Sequence, residues 1–284
     1  MTDVETFSRA FAVVGETRLL AQVHQPRCAS ERAGKGIVMV HGGAWTSNDR
    51  LSPHVLCDAL ARRGLTVFSL DFRDGRTGRH PCAVQDITAG IRFVRAHADE
   101  FGIDAERIGL IGSSSGGHLV LLAAAQPDVP AHRGTAIIRG DSTDAAENIS
   151  AEVACVVALW PVSDPLVRFR HAHDTGREEL IAAHLKYYND EQHMHEASVQ
   201  RMLAAGEAQT VPPLLVVQPG EDRNVPQPMT FDLLREWQNA GGALQYLFYP
   251  GLPHAFAYEA SRETTQLERD MWPFLDHCLA VGMS

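Results

Sequence analysis

The stretch Ile108-Gly109-Leu110-Ile111-Gly112-Ser113-Ser114-Ser115-Gly116-Gly117-His118 decides how the rest of the chain is read. Residues Ile108 to Ile111 form a short, mostly apolar run, the pattern of a strand buried on both faces, and an apolar helix pattern resumes from Leu119 to Ala125. Between them lies Gly112-Ser113-Ser114-Ser115-Gly116, a G-x-S-x-G pentapeptide at a strand-to-helix turn, which is the setting of a nucleophile elbow. Such a turn strains the backbone of Ser114 and lifts its hydroxyl above the sheet edge. The flanking glycines leave room where a Cβ would meet the neighbouring strand or helix. On its own the pentapeptide is equally a small-residue turn or a flexible Ser/Gly stretch. Its meaning therefore rests on what surrounds it.

A chain of 284 residues can bury a large core and suits one large α/β domain or two small ones. With 25 Lys+Arg against 35 Asp+Glu, the net charge of −10 argues against nucleic-acid or anionic-membrane partners. Five scattered cysteines (Cys28, Cys57, Cys82, Cys155, Cys278) form no C-x-x-C pair, so neither a zinc site nor a disulfide framework is expected. Cys155 sits in an apolar run and reads as core. The first residues, Met1-Thr2-Asp3-Val4-Glu5, lack the basic and apolar regions of a signal peptide, and no apolar run approaches the length of a membrane span. The expectation is a soluble, cytoplasmic protein without a cofactor or metal.

Phe11 to Val14 and Thr17 to Val23, joined by Gly15-Glu16, read as a pair of strands around a tight turn. Ile37–Val40, Leu65–Leu70, Val153–Leu159, Leu214–Val217 and Leu244–Tyr249 read as further strands. Helix patterns fall at 54–63, 84–98, 231–239 and 266–279. This alternation implies a doubly wound, mostly parallel sheet with helices on both faces. Two segments break it. Residues 128–150 are polar and irregular, which suggests a surface excursion. Residues 166–210 carry helix patterns at 178–188 and 197–205 around a His-rich centre, which suggests a small helical cap inserted into a single domain spanning 1–284. The pairs His171/His173 and His193/His195 lack ligand spacing with carboxylates and read as solvated cap residues.

Ligands of doubly wound sheets sit beyond the carboxyl ends of the strands. Ile37–Val40 is followed by His41-Gly42-Gly43-Ala44-Trp45, Leu214–Val217 by Gly220-Glu221-Asp222, and Leu244–Tyr249 by Pro253-His254-Ala255-Phe256. A nucleophile, an acid and a histidine thus fall on one edge in the order Ser, Asp, His. A serine hydroxyl needs a base within reach. His254 can take its proton, and Asp222 can fix the imidazole tautomer and stabilise the imidazolium. Glu221 beside it and the more distant Asp164 are the rival acids. Gly42-Gly43-Ala44 lets a loop turn its amides inward, so Gly43, Ala44 and Ser115 are the candidate oxyanion donors. Trp45, Trp160 and Phe256 follow strand ends and are candidate substrate-binding residues. His41 reads as a loop-shaping hydrogen bonder.

Together, His41–Trp45, Gly112–His118, Asp222 with Val225-Pro226, and His254-Ala255-Phe256 resemble the carboxylesterase branch of the α/β-hydrolase family. The similarity is to the hormone-sensitive-lipase-like and acetyl-esterase-like enzymes, including the kynurenine-formamidase type, and runs from about Gly36 to the last helix. The resemblance implies an α/β-hydrolase fold, with Ser114 as nucleophile, Asp222 as acid, His254 as base and Gly43, Ala44 and Ser115 as oxyanion donors. It implies small to medium esters as substrates, with activated amides such as aryl formamides, lactones or polyesters as alternatives. A ligand-binding role without catalysis is a further alternative, against which the retained His254 argues. A homodimer is compatible with such a fold. Three departures stand out. Ala44 replaces the third glycine of the family's loop, Ser115 replaces a common alanine, and Phe72-Arg73-Asp74-Gly75-Arg76 replaces the usual Tyr-Arg-Leu-Ala-Pro run.

Overall fold

A computed structural model of the chain describes residues 2–280. The chain opens with β1 (Val4–Val14) and β2 (Thr17–Pro26). It continues through β3 (Gly36–Val40), α1 (His54–Arg62), β4 (Thr66–Leu70), α2 (Cys82–Ala96), α3 (Ala98–Phe101), β5 (Ile108–Ser113) and α4 (Ser115–Ala125). Short strands β6 (Ile137–Arg139) and β7 (Ser142–Asp144) precede β8 (Cys155–Leu159). Helices α5 (Pro165–Asp174), α6 (Glu178–Tyr187), α7 (Glu191–Glu196) and α8 (Val199–Ala204) then separate β8 from β9 (Leu214–Glu221). Last come α9 (Gln227–Asn239), β10 (Leu244–Pro253) and α10 (Arg262–Cys278).

All ten strands form one sheet in the order β10-β9-β8-β5-β3-β4-β2-β1-β6-β7. From β10 to β4 every neighbouring pair is parallel, and from β4 to β7 every pair is antiparallel. Residues of β3, β4, β5 and β8 are buried throughout, as their continuous apolar runs require. Successive side chains point to opposite faces. Val38 and Val40 therefore join Leu110, Val156 and Val216 against α2, α4 and α9, while Ile37 and Met39 join Ile111, Val157 and Val217 against α1 and α10. The fold is the α/β-hydrolase fold. Among the described residues no helix is long and apolar enough to cross a membrane.

The sheet is wound in both directions from β3. The next strand in sequence, β4, lies on one side of it, and β5 lies on the other. The loops after β3 and β5 consequently diverge and leave a crevice at the switch point, where doubly wound sheets bind ligands. Register brings the carboxyl ends level: Val40 pairs with Gly112, Ser113 with Leu159, and Leu159 with Val217.

Two expectations need correction. Residues 128–150 are not simply irregular, because β6 and β7 form a hairpin that extends the sheet through the Ala12–Ile137 pair. Strands of three residues are too short to show a period, and their partner lies far away in sequence. The segment after Trp160 holds more helix than the two patterns suggested. Its first helix, α5, is fixed by a local cap, with Asp164 accepting from the Val167 amide at 2.9 Å and Pro165 in the first turn. The arginines and histidines of α5 mask its apolar face in the sequence.

Candidate active site

Ser114 joins the end of β5 to the start of α4 with φ 54° and ψ −117°, a conformation that non-glycine residues rarely adopt. The surroundings hold it there. Its amide donates to the Leu159 carbonyl at 2.9 Å, and its own carbonyl accepts from Val162 at 3.0 Å and His118 at 3.1 Å. The helix after it packs very close to β3: a Cβ at Gly116 would stand 2.3 Å from the His41 carbonyl oxygen. Glycine there is a matter of close approach, and it lets the first turn of α4 lie against the loop after β3.

His254 follows β10 and faces Ser114. Its Nε2 lies 3.0 Å from Ser114 Oγ, and its Nδ1 lies 2.8 Å from Asp222 Oδ2. The other oxygen of that carboxylate accepts from the Asn224 and Val225 amides at 2.8 and 2.9 Å. The Asp222 carboxylate is fully buried and the imidazole nearly so. With Nδ1–H donating to Asp222, Nε2 carries the lone pair that can accept the serine proton. Neither rival acid is placed for this. Glu221 is exposed, and Asp164 caps α5 and accepts from Ser198 Oγ at 2.7 Å.

The loop after β3 turns through three consecutive residues of positive φ: Gly43 at 121°, Ala44 at 50° and Trp45 at 59°. The Gly43 carbonyl accepts from the Thr46 and Ser47 amides, both at 3.0 Å, which closes the turn. A Cβ at Gly43 would come within 2.2 Å of the Ser47 carbonyl oxygen. Ala44 keeps the backbone donor and carries its extra methyl group at a tolerable φ. Among the described residues, the amides of Gly43, Ala44 and Ser115 meet no hydrogen-bond acceptor. Ser115 does more than supply an amide, since its Oγ accepts from the Trp45 amide at 3.1 Å and ties the elbow helix to the loop.

Two of the aromatic candidates lie on the histidine side of the site, but Trp160 is part of the core, with 1 % of its surface exposed, and only Phe256 is partly exposed. Trp160 meets the His254 ring edge-on with centroids 6.2 Å apart, and Phe256 lies 5.0 Å from Trp160. Trp45 stands elsewhere. Its side chain is shut in beneath α6, stacked on Tyr187 at 5.6 Å, with 1 % of its surface exposed. His41 shapes the loop as expected, with Nδ1 2.8 Å from the Gly42 carbonyl oxygen and its ring stacked on Phe72 at 4.4 Å. Burial pushes its proton affinity down and keeps it neutral. The departing Phe72-Arg73 run thus packs the loop from behind, while Arg73 clamps buried Asp86 through Nη2 at 2.7 Å and Nε at 2.9 Å.

Sequence reasoning missed Tyr258. Its hydroxyl accepts from the Gly42 amide at 2.8 Å and lies 2.7 Å from Ser113 Oγ. One short segment, 254–258, therefore delivers the histidine and also pins the residue before Gly43 to the residue before Ser114. Four residues after a histidine, a tyrosine carries no signal of this in the sequence.

A serine raised on a strand-to-helix turn at the switch point, reached by an acid and a histidine from later strands, is the layout of the α/β-hydrolases, and that class describes this chain. The BD-FAE family model matches residues 22–237, and the chain belongs to that family. Esterase LipC of Mycobacterium tuberculosis is 26 % identical over 230 residues, which cover 78 % of this chain and 52 % of LipC. Ethyl acetate hydrolase of Pseudomonas putida is 24 % identical over 252 residues, covering 85 % of this chain and 72 % of that enzyme. Several of the curated relatives it matches are spanned for only about half their length. Among solved structures, the propionate-bound esterase Est2 of Thermogutta terrifontis superposes with a TM-score of 0.74 at 21 % identity, over 96 % of this chain and 94 % of that one.

Proposed function

We propose that the chain hydrolyses small to medium carboxylic esters through an acyl-enzyme on Ser114. The observation that carries this reading is the continuous set of contacts from Asp222 through His254 to Ser114 Oγ, beside three amides that meet no acceptor among the described residues. The esterase names of the relatives support the same reading.

In the proposed reaction, Ser114 Oγ attacks the ester carbonyl carbon as His254 Nε2 takes its proton. The carbonyl oxygen becomes an oxyanion and accepts hydrogen bonds from the amides of Gly43, Ala44 and Ser115. Collapse of this intermediate breaks the bond to the alcohol oxygen, which receives the proton from His254. Water then enters, gives a proton to His254 and attacks the acyl carbon; collapse releases the acid and returns the proton to Ser114. Asp222 holds the imidazole throughout and offsets its charge when protonated. Trp160 supports His254 from the core side and carries the partly exposed Phe256, while Trp45 supports the loop after β3 in the same way.

The test is a substrate panel on purified protein: p-nitrophenyl esters of increasing acyl length, an N-formyl anilide, a lactone and a soluble polyester. The ester reading predicts the highest kcat/KM on a short or medium acyl ester. A clear preference for the anilide, lactone or polyester contradicts it in favour of that substrate.

Tyr258 offers a finer check. Tyr258→Phe keeps the ring but leaves the Gly42 amide and Ser113 hydroxyl without this partner, at a cost of about 1–3 kcal/mol for each group left buried and unsatisfied. The oxyanion loop then loses its tie to the elbow. We expect kcat on p-nitrophenyl butyrate to fall about 10-fold with KM little changed, the pattern of an interaction made mainly in the transition state. Steady-state kinetics with active-site titration separates this from a simple loss of folded protein.

A further inference from the structure

The burial of Trp45 has a chemical consequence. Its ring is surrounded by His118 at 5.5 Å, His184 at 5.1 Å, Tyr187 at 5.6 Å and Tyr188 at 5.4 Å, and the Arg168 guanidinium carbon stands 5.7 Å from its centre. All of these side chains are buried, Arg168 to 1 % exposure. Among the described residues, Trp45 Nε1, both tyrosine hydroxyls, and Nε and Nη1 of Arg168 have no hydrogen-bond partner. Neither do His118 Nδ1 and His184 Nε2. Buried polar groups in folded proteins are otherwise almost always satisfied, so this concentration around one ring is unusual.

The chemistry of the set is lopsided. His184 donates through Nδ1 to the Leu180 carbonyl at 2.7 Å, and His118 through Nε2 to the Ala197 carbonyl at 2.8 Å. His118 therefore offers only a lone pair to the cluster, and His184 lies against the Pro165 carbonyl as well. Burial lowers their proton affinities to about 3 and about 4, which leaves both neutral. Burial also lowers Arg168, to about 10, so it remains a cation at neutral pH. Around the guanidinium the cluster thus holds one positive charge, an indole N–H, the Tyr188 phenol and no carboxylate, while the Tyr187 hydroxyl faces Ala83 and Cys82. The carboxylate that acts most on Arg168 is Asp222, but its oxygens are occupied by His254, Asn224 and Val225. An unpaired buried guanidinium calls for an anion that accepts several hydrogen bonds, and a carboxylate fits its planar fork.

The cluster also adjoins the candidate site. Trp45 directly follows Ala44, its amide is held by Ser115 Oγ, and His118 lies one helical turn after Ser114. Resting on the ester-hydrolase reading above, we propose that Arg168, with Tyr188, binds a carboxylate carried by the substrate. The preferred esters are then half-esters of dicarboxylic acids, or others with an acid group a few bonds from the scissile carbonyl.

The experiment compares monomethyl succinate, glutarate and adipate with methyl esters of neutral acids of matching length, followed by pH-stat. At least one half-ester should show kcat/KM about 10-fold or more above its neutral counterpart, mainly through KM, as a charge-assisted contact of this kind provides. Arg168→Gln should bring that ratio towards one. Tyr188→Phe, which keeps the packing, should lower it in the same direction and stands in if Arg168→Gln fails to fold. A neutral ester preferred at every length, or a ratio that neither variant moves, overturns the assignment and leaves ester hydrolysis standing. A protein inactive on p-nitrophenyl butyrate as well overturns the hydrolase reading, and this inference with it.

Discussion

Ser114→Ala should abolish turnover of p-nitrophenyl butyrate while leaving the protein folded. Removing the nucleophile of a serine hydrolase lowers kcat by about 10⁶-fold, because the histidine and its acid have nothing left to activate. Residual rate would come from the oxyanion donors and substrate binding alone. Alanine keeps a Cβ at the strained position, and the contacts that hold this residue are made by its backbone to Leu159, Val162 and His118. Thermal unfolding should therefore shift little. Stopped assays with a long time base, run beside circular dichroism, check both halves of the expectation. Wild-type turnover in a well-folded variant would remove Ser114 from the mechanism.

The second large effect concerns the loop after β3. Gly43 has a φ of 121°, and its absent Cβ would sit 2.2 Å from the Ser47 carbonyl oxygen. Gly43→Ala cannot keep this turn. The chain must swing, and the amides of Gly43 and Ala44 leave the positions from which they would reach an oxyanion. Loss of one such donor typically costs about 10²–10³ in kcat, and displacement of two should reach the upper end of that range. The tie between Ser115 Oγ and the Trp45 amide would be disturbed as well. Ala44→Gly is the matching control: it removes a methyl group from a residue already at positive φ and keeps the donor. We expect activity within about 3-fold of wild type there, since relief of a left-handed alanine is offset by glycine's extra chain entropy. Kinetics on the same ester distinguish the two variants.

The parts of the fold that could be read in the sequence share one physical property. Strands such as Ile37–Val40 and Ile108–Ile111 are covered on both faces, so they appear as unbroken apolar runs, and the residues after them mark the sheet edge. Ser114 and Asp222 stood out because each follows such a run, and His254 because it follows the partly buried edge strand β10, although 140 residues separate it from Ser114. Elements held by distant partners could not be read in this way. β6 depends on one pair with Ala12, and α5 carries its cap at Asp164 but hides its buried face among charged residues. The Tyr258 contact to Gly42 spans 216 residues. Trp45 looked like a pocket residue because it follows a strand end. Its burial depends on Tyr187 and Tyr188, which arrive in the middle of the chain's helical excursion, at the end of α6.

Covalent trapping tests the central claim most directly. The protein is incubated with a fluorophosphonate, digested with trypsin and analysed by fragmentation mass spectrometry. The account predicts one adduct, on Ser114 within the peptide Ile108–Arg133, suppressed by excess ester substrate and absent from Ser114→Ala. An adduct on another residue with Ser114 untouched, or equal labelling of the Ser114→Ala protein, would contradict it.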